Sequence, residues 1–210
     1  MNKIKKFKIS LRQKDIARRI LRSNLDLKTA GIASDIELAR FIVDVSKSLN
    51  PGVVYKLFKD DYEGLEAVGI TARDIFSVCV VTLGEEIEEK LKEFEGNQTL
   101  QIAANIALTE FLRTAFYFVS DLISDQAKKE EFETEGYELL YSPVFSYAPE
   151  PKFIAEAVRM DKEMALKAMP VLFESLNTAK IGVAVQEGEV TPKATIAFLI
   201  PWQKKKKRKK

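Results

Sequence analysis

The stretch that decides the fold is FSVCVVTLGEEIEEKL, residues 76–91. A mostly apolar, β-branched run ends at Leu83, a single glycine follows at Gly84, and glutamates then crowd the next positions. This pattern predicts a buried strand that turns through Gly84 into a helix with an acidic first turn. Many α/β proteins hold a phosphate at such a junction, so the stretch is a candidate cofactor loop.

The charges of this junction argue against a phosphate. A phosphate-binding turn uses several glycines for close backbone approach, often with a Lys or a hydroxyl residue for the anion. Here Gly84 stands alone, and Glu85, Glu86, Glu88 and Glu89 suit the helix dipole but would repel a phosphate. We therefore predict a structural role for these acids, with an acidic face for a cationic ligand or a partner as the alternative.

The chain before and after this stretch alternates helical and extended patterns. Residues 11–24 have helical apolar spacing, and Ser34 with Glu37 forms a capping box for the next helix. Residues 53–58 read as a short strand. Residues 97–130 carry the strongest helical signal, apolar over so much of the circumference that the helix should lie deep in the fold.

The C-terminal third changes character after Gly136. Residues 137–141 could form a strand, but the prolines that follow prevent regular pairing further on. Residues 152–177 return to a helical pattern interrupted at Pro170, and residues 180–202 read as two strands joined by a glycine-containing turn. With no repeat or linker, we predict one domain over residues 1–202 and a disordered basic tail over residues 203–210.

Composition removes several classes of chemistry. The chain has no histidine, which excludes His-based acid–base catalysis and His metal sites. It has one cysteine, Cys79, which excludes intrachain disulfides and Cys-cluster metal sites. Because Cys79 lies within an apolar run, we interpret it as a small core residue rather than a nucleophile.

The overall charge of +2 hides a polarised chain. Residues 1–22 and 204–210 hold 16 of the 33 basic residues and one of the 31 acidic residues, which leaves 17 basic against 30 acidic residues in the body. The two basic termini could bind nucleic acid or an anionic surface, or they could simply be solvated, unfolded ends of the chain. Nucleic-acid binding is the weaker hypothesis, because the acidic body would repel a phosphate backbone. No uninterrupted apolar run is long enough to span a bilayer and no signal peptide is evident, so we expect a cytoplasmic protein without a membrane partner.

Three segments, taken in order, resemble a known family. They are VVTLGEEIEEKL (80–91), YSPVFSYAP (141–149) and IGVAVQEGEVTPKATIAFLI (181–200). Their order and spacing are similar to the activation (reactivation) domain of cobalamin-dependent methionine synthase, here standing alone, and the resemblance runs from about residue 10 to residue 202. It implies an α+β fold, a single C-shaped domain with a twisted antiparallel sheet flanked by helices.

The resemblance also implies a ligand site in the second segment. The family has an Arg-led Ser-Pro-Gly-Tyr turn there that binds S-adenosylmethionine. In this chain Leu140 stands at the Arg position, Val144 and Phe145 replace Gly and Tyr, and in the third segment Thr195 stands where Ser is usual. The implied cofactor-binding residues are Tyr141, Ser142, Pro143, Val144, Phe145 and Tyr147.

The resemblance implies that this protein assists another enzyme and contributes no catalytic side chain of its own. The protein would present S-adenosylmethionine to a cobalamin-binding methionine synthase protein, whose inactive cob(II)alamin is reduced, with a flavodoxin-type protein as reductant, and then methylated. The cobalamin is carried by the partner, and this chain would supply no catalytic residue and no metal ligand. The alternative is a docking or adaptor protein for a corrinoid protein that has lost S-adenosylmethionine binding.

Overall fold

The computed structural model describes residues 2–5, 7–9, 12–59, 75–141, 162–186 and 189–205, and within the helix that begins at Lys162 it describes side chains from Met169 onward. The helices are α1 (Gln13–Arg22), α2 (Asp35–Lys47), α3 (Glu86–Lys92), α4 (Gln98–Lys129), α5 (Lys162–Ser175) and a 3-10 turn (Thr178–Ile181). The strands are β1 (Asn2–Lys5), β2 (Gly52–Phe58), β3 (Ile75–Thr82), β4 (Phe132–Thr134), β5 (Glu138–Tyr141), β6 (Ala184–Gln186), β7 (Glu189–Thr191) and β8 (Thr195–Lys204).

The main sheet is antiparallel throughout and runs in the order β1-β2-β3-β8. Both β4 and β5 pair with β8, at Phe132↔Lys204 and at Glu138↔Leu199. They therefore form one broken outer strand along β8. A separate two-stranded hairpin joins β6 to β7.

Successive side chains along the central strands point to opposite faces of the sheet, so a hydrophobic core forms on each side. Val53, Cys79 and Phe198 face the core that α1, α2 and α4 cover. Val54 and Val80 face the second core, which is covered by α5, the 3-10 turn and the β6–β7 hairpin. Because both faces are buried, the strands read as continuous apolar runs. The expected fold class, α+β with an antiparallel sheet flanked by helices, is confirmed.

The long helix α4 lies deep in the fold, as its sequence predicts. Asn97 caps its first turn, with its side-chain oxygen accepting a hydrogen bond from the Leu100 N–H at 3.1 Å. Among the described residues, one helix, α4, has the length and the apolar composition needed to cross a membrane. However, 72% of its 18-residue apolar window is buried inside the fold. A core helix passes the same test, so α4 is accounted for by its packing against the sheet.

Other local predictions are partly corrected. The Ser34 capping box is confirmed: the Glu37 N–H donates to Ser34 Oγ at 3.3 Å, and Glu37 Oε2 accepts from the Ala33 N–H at 2.8 Å. Pro170 lies inside α5 instead of interrupting it. Burial of the neighbouring Met169 and Leu172 against the sheet offsets the hydrogen bond that proline cannot make.

The sequence pattern also merges or misses short strands. The segment 180–202 contains three strands rather than two, because Pro192 and the residues after it separate β7 from β8. The pattern gives no indication of β1 or β4. Both lie at the edges of the sheet and have only three or four residues, too few for a period-2 signal.

Candidate functional site

The first and third segments of the resemblance meet where β3 ends and β8 begins. The Leu83 N–H donates to the Ala194 carbonyl oxygen at 2.9 Å. The Thr195 hydroxyl lies 3.0 Å from Thr82 Oγ1 and 2.7 Å from the Pro192 carbonyl oxygen, and both threonines are fully buried. A buried hydroxyl needs a partner, so this pair fixes the two segments against each other.

Gly84 sits at the centre of this junction in a conformation that favours glycine. Its φ is +97°, and a Cβ added there would lie 2.8 Å from both Cβ and the carbonyl oxygen of Asn50. The Gly84 N–H donates to Thr82 Oγ1 at 3.1 Å, and the Asn50 N–H donates to the Leu83 carbonyl at 2.8 Å. Gly84 therefore allows the close backbone approach between two chain segments.

Two of the four glutamates after Gly84 have structural partners. Glu86 Oε1 accepts from the Asn50 side-chain amide at 2.7 Å, and Glu88 Oε1 accepts from the Lys193 backbone N–H at 2.6 Å. These bonds agree with the structural role expected for the acids. They also tie the start of α3 to the turn before β2 and to the start of β8.

The second segment enters beside this junction through Tyr141. Tyr141 is the last residue of β5 and pairs with Ala197, two residues from Thr195 on β8. A register shift falls between Leu139 and Tyr141. Leu139 faces the helix-covered core, whereas Leu140 and Tyr141 both pack against the second core. The bulge thus turns two successive side chains to the same side of the sheet.

The surroundings of Tyr141 and Leu140 differ in what they can offer a ligand. Tyr141 is partly exposed, and burial together with the nearby Glu189 carboxylate raises the pKa of its hydroxyl. The hydroxyl is therefore neutral and able to donate a hydrogen bond at neutral pH. Leu140 is 1% exposed and belongs to the second core. The remaining expected ligand residues, Ser142, Pro143, Val144, Phe145 and Tyr147, lie outside the described residues.

A depression of about 590 Å³ opens on the other side of the junction. Phe7 and Ile9 from the N-terminal segment, Leu49 and Pro51 after α2, and Glu86 contribute to its wall. Its volume falls in the range of small-molecule pockets. Its wall also contains two lysines, two serines and Asn50, and its one carboxylate, Glu86, already accepts a hydrogen bond from Asn50.

The described residues contain no grouping suited to bind a metal. No three His, Cys, Asp or Glu side chains among them are arranged as metal ligands. Cys79 is fully buried, and burial raises the pKa of its thiol well above the ordinary value, so it stays a neutral thiol. This agrees with its interpretation as a core residue.

A buried carboxylate that sequence reasoning missed lies on α4, away from the β3–β8 junction. Glu110 is 5% exposed, and its Oε1 lies 2.9 Å from an Arg19 guanidinium nitrogen on α1. Arg113 approaches the other carboxylate oxygen at 3.6 Å. Burial raises the pKa of Glu110, and the two arginines oppose that shift. The cluster joins α1 to α4, and the clue in the sequence was an acid inside an otherwise apolar helical run.

Comparison with known proteins adds no identification. No protein-family model matches the chain, and no curated protein matches its sequence.

Proposed function

We propose that this protein is a stand-alone reactivation module for cobalamin-dependent methionine synthase, which presents S-adenosylmethionine for the reductive methylation of cob(II)alamin. The observation that carries the proposal is the convergence of the three resembling segments along β8. The first segment bonds to Ala194 and Thr195, the third contains them, and the first residue of the second, Tyr141, pairs with Ala197. Segments more than 100 residues apart in sequence thus reach one place in the fold.

The reaction requires positioning more than acid–base chemistry. In the reaction that the resemblance implies, a flavodoxin-type reductant would supply one electron to the partner's cob(II)alamin. S-adenosylmethionine would supply the methyl group to the reduced cobalt, with the electron pair of the broken carbon–sulfur bond staying on the sulfur of the leaving S-adenosylhomocysteine. No proton moves, and a chain without histidine can support the reaction by holding the methyl donor over the partner's corrin.

The charge around β5 suits a cationic ligand. S-adenosylmethionine carries a sulfonium and an ammonium against one carboxylate. Glu133 on β4 and Glu138 on β5 pair with Gln203 and Leu199 of β8, and Glu189 lies close enough to Tyr141 to raise its pKa. These carboxylates would attract the ligand towards the edge where the YSPVFSYAP segment begins. Tyr141 would contribute its ring face and its hydroxyl.

A second candidate function is favoured by Leu140. The resemblance requires an arginine at that position as the bidentate partner of the ligand's carboxylate, and this chain has a buried leucine in the core instead. In this second function the protein docks on a corrinoid protein, holds it in one conformation and binds no S-adenosylmethionine. In either case we propose that it acts in the cytoplasm, where methionine synthase acts.

Calorimetry with S-adenosylmethionine separates the two functions. The reactivation module should bind the ligand, and Tyr141→Ala should weaken binding about tenfold or more, because the change removes both the stacking ring and the hydroxyl. Tyr117→Ala, at a partly exposed tyrosine on α4, is the matched control and should leave affinity unchanged. No heat of binding at millimolar ligand, together with a stable complex with a corrinoid protein, would leave the adaptor function in place of the first.

A further inference from the structure

Among the residues that the structure describes, strand β1 is an edge of the sheet. It stands at the end of the strand order and pairs on one side with β2, in the register Asn2↔Tyr55 to Lys5↔Gly52. Asn2, Lys3 and Lys5 are exposed. In an antiparallel pair alternate residues direct their N–H and C=O groups away from the partner strand, so half of β1 presents backbone groups that another strand could bind.

Three lysines gather on one side of this edge. Lys3 and Lys5 are two positions apart in a strand and so share a face. Lys5 lies opposite Gly52, and Ile181 Cβ occupies the space above that glycine, 3.0 Å from where a Cβ would stand. The 3-10 turn is thereby brought beside β1, which places Lys180, the residue before Ile181, next to the two strand lysines.

The cluster forms no ion pair within the described part of the chain, although Glu85 and Glu86 line the same small depression as Lys5. None of Lys3, Lys5 or Lys180 is in an ion pair there, and all three are exposed. Desolvation lowers the pKa of Lys3, and the ammonium groups of Lys5 and Lys180 lower it further. Three like charges held together in this way repel one another, and a set of facing carboxylates would relieve that repulsion.

The opposite edge of the sheet carries charges of both signs. Exposed Glu131, Glu133 and Glu135 stand beside and along the outer strand formed by β4 and β5, and the exposed Lys204 of β8 pairs with Phe132 there. A cluster of lysines alone therefore sets β1 apart from the other edge. If the lysines only made the surface more soluble, there would be no reason for the fold to place Lys180 of the 3-10 turn beside Lys3 and Lys5 of β1.

We propose that β1 is a docking edge that accepts an extended, acidic segment of a partner protein as an added strand. Backbone hydrogen bonds to the free side of β1 would supply affinity, and carboxylates at alternate positions of the added strand would face Lys3 and Lys5, with Lys180 at the end of the row. The docking edge does not depend on the proposed function, since it uses neither S-adenosylmethionine nor cobalamin.

An extended acidic peptide fits this edge better than nucleic acid. A nucleic-acid backbone would bring its charge against an acidic body, and the cluster itself consists of lysines, without an aromatic member to stack on bases. Two copies paired through β1 would bring lysines against lysines. Pairing of β1 with the acidic outer strand of a second copy would be head-to-tail and would generate an open chain of molecules, which a size measurement detects.

The test uses the full chain and a fluorescent, end-blocked peptide of about eight residues in which glutamate alternates with valine, a length matched to a common strand. We expect saturable binding by anisotropy, with NMR shifts of the β1 amides in the complex. The triple variant Lys3→Glu, Lys5→Glu, Lys180→Glu should bind about tenfold more weakly or worse. A matched charge control, Lys14→Glu, Arg22→Glu, Lys28→Glu, alters exposed cations on and after α1 and should change the affinity less than about threefold.

Several results would overturn the inference. One is equal weakening in both triple variants, which indicates only bulk charge. Another is equal binding of a peptide with proline in place of valine, because that peptide cannot add a strand. Tighter binding of a short DNA duplex through the same lysines would assign the patch to nucleic acid. Concentration-dependent growth of the free chain in sedimentation velocity, abolished by the edge variant, would assign it to a second copy.

Discussion

Replacing Gly84 with alanine tests whether the β3–β8 junction depends on close backbone approach. Two costs follow from the structure. At φ +97° an L-residue is strained by about 1–2 kcal/mol. The added Cβ would also lie 2.8 Å from the Asn50 carbonyl oxygen, so backbone must shift, and such overpacking costs about 1–3 kcal/mol more. We expect Gly84→Ala to lower the free energy of unfolding by about 2–5 kcal/mol.

Gly96→Ala is the matched control for backbone strain alone. Gly96 has φ +85°, close to that of Gly84, but a Cβ added at Gly96 would have no atom within 4 Å. Its alanine variant should lose about 1–2 kcal/mol. Loss of unfolded-chain entropy is similar in the two variants, so their difference reports the steric contact with Asn50.

Urea unfolding followed by fluorescence measures both variants. Trp202, the single tryptophan of the chain, is 5% exposed at the far end of β8 and should report global unfolding. In a chain of this length each kcal/mol corresponds to about 2–4 °C in Tm, which gives a thermal check. Equal losses in the two variants would refute the claim that Gly84 is required by its contact with Asn50.

Three further predictions concern buried groups. Burial raises the pKa of Glu110, so the native state holds this proton more tightly than the unfolded state, and the group's contribution to stability is lost as pH rises through the folded pKa. Glu110→Gln should therefore gain stability relative to wild type as pH rises from the pKa of an unfolded glutamate through the raised folded pKa. A pH-independent difference in unfolding free energy would contradict this. Thr195→Val removes the hydroxyl that bonds to Thr82 and Pro192 and should lower the free energy of unfolding by about 1–3 kcal/mol. Thr195→Ser keeps the hydroxyl and should lower it less in the same urea assay. Equal losses in the two variants would show that the hydroxyl does not stabilise the junction. Cys79 should resist a thiol-specific reagent in the native protein and react only in denaturant, and rapid native labelling would show that the central strands open readily.

The elements with strong periodic signals were predictable from sequence. The run from Phe76 to Leu83 and the helix from Gln98 to Lys129 have long apolar patterns that burial enforces, and the predicted cap at Ser34 uses local hydrogen bonds. Strand β4 was not predictable, because three residues carry no period and β4 exists by pairing with β8. Helix α5 continues through Pro170 because tertiary packing outweighs local propensity.

The candidate site was predictable only through the order of its segments. Nothing local to Thr82 or Thr195 indicates that their hydroxyls meet across more than 100 residues of sequence. The bulge after Leu139, which turns both Leu140 and Tyr141 towards the second core, has no sequence signal either. The Glu110 cluster depends on Arg19 from another helix, so only the fold could reveal its partner.

Methyl transfer to cobalamin is the decisive assay for the proposed reactivation. The full chain would be mixed with a cobalamin-binding methionine synthase protein that lacks its own activation domain and is held as cob(II)alamin, together with a low-potential reductant and S-adenosylmethionine labelled in its methyl group. We predict the methylcobalamin absorption spectrum and labelled cobalamin only when this chain is present, with both reduced in Tyr141→Ala. Absence of labelled methylcobalamin with the wild-type chain, at concentrations where it binds the cobalamin protein, would contradict the proposed function.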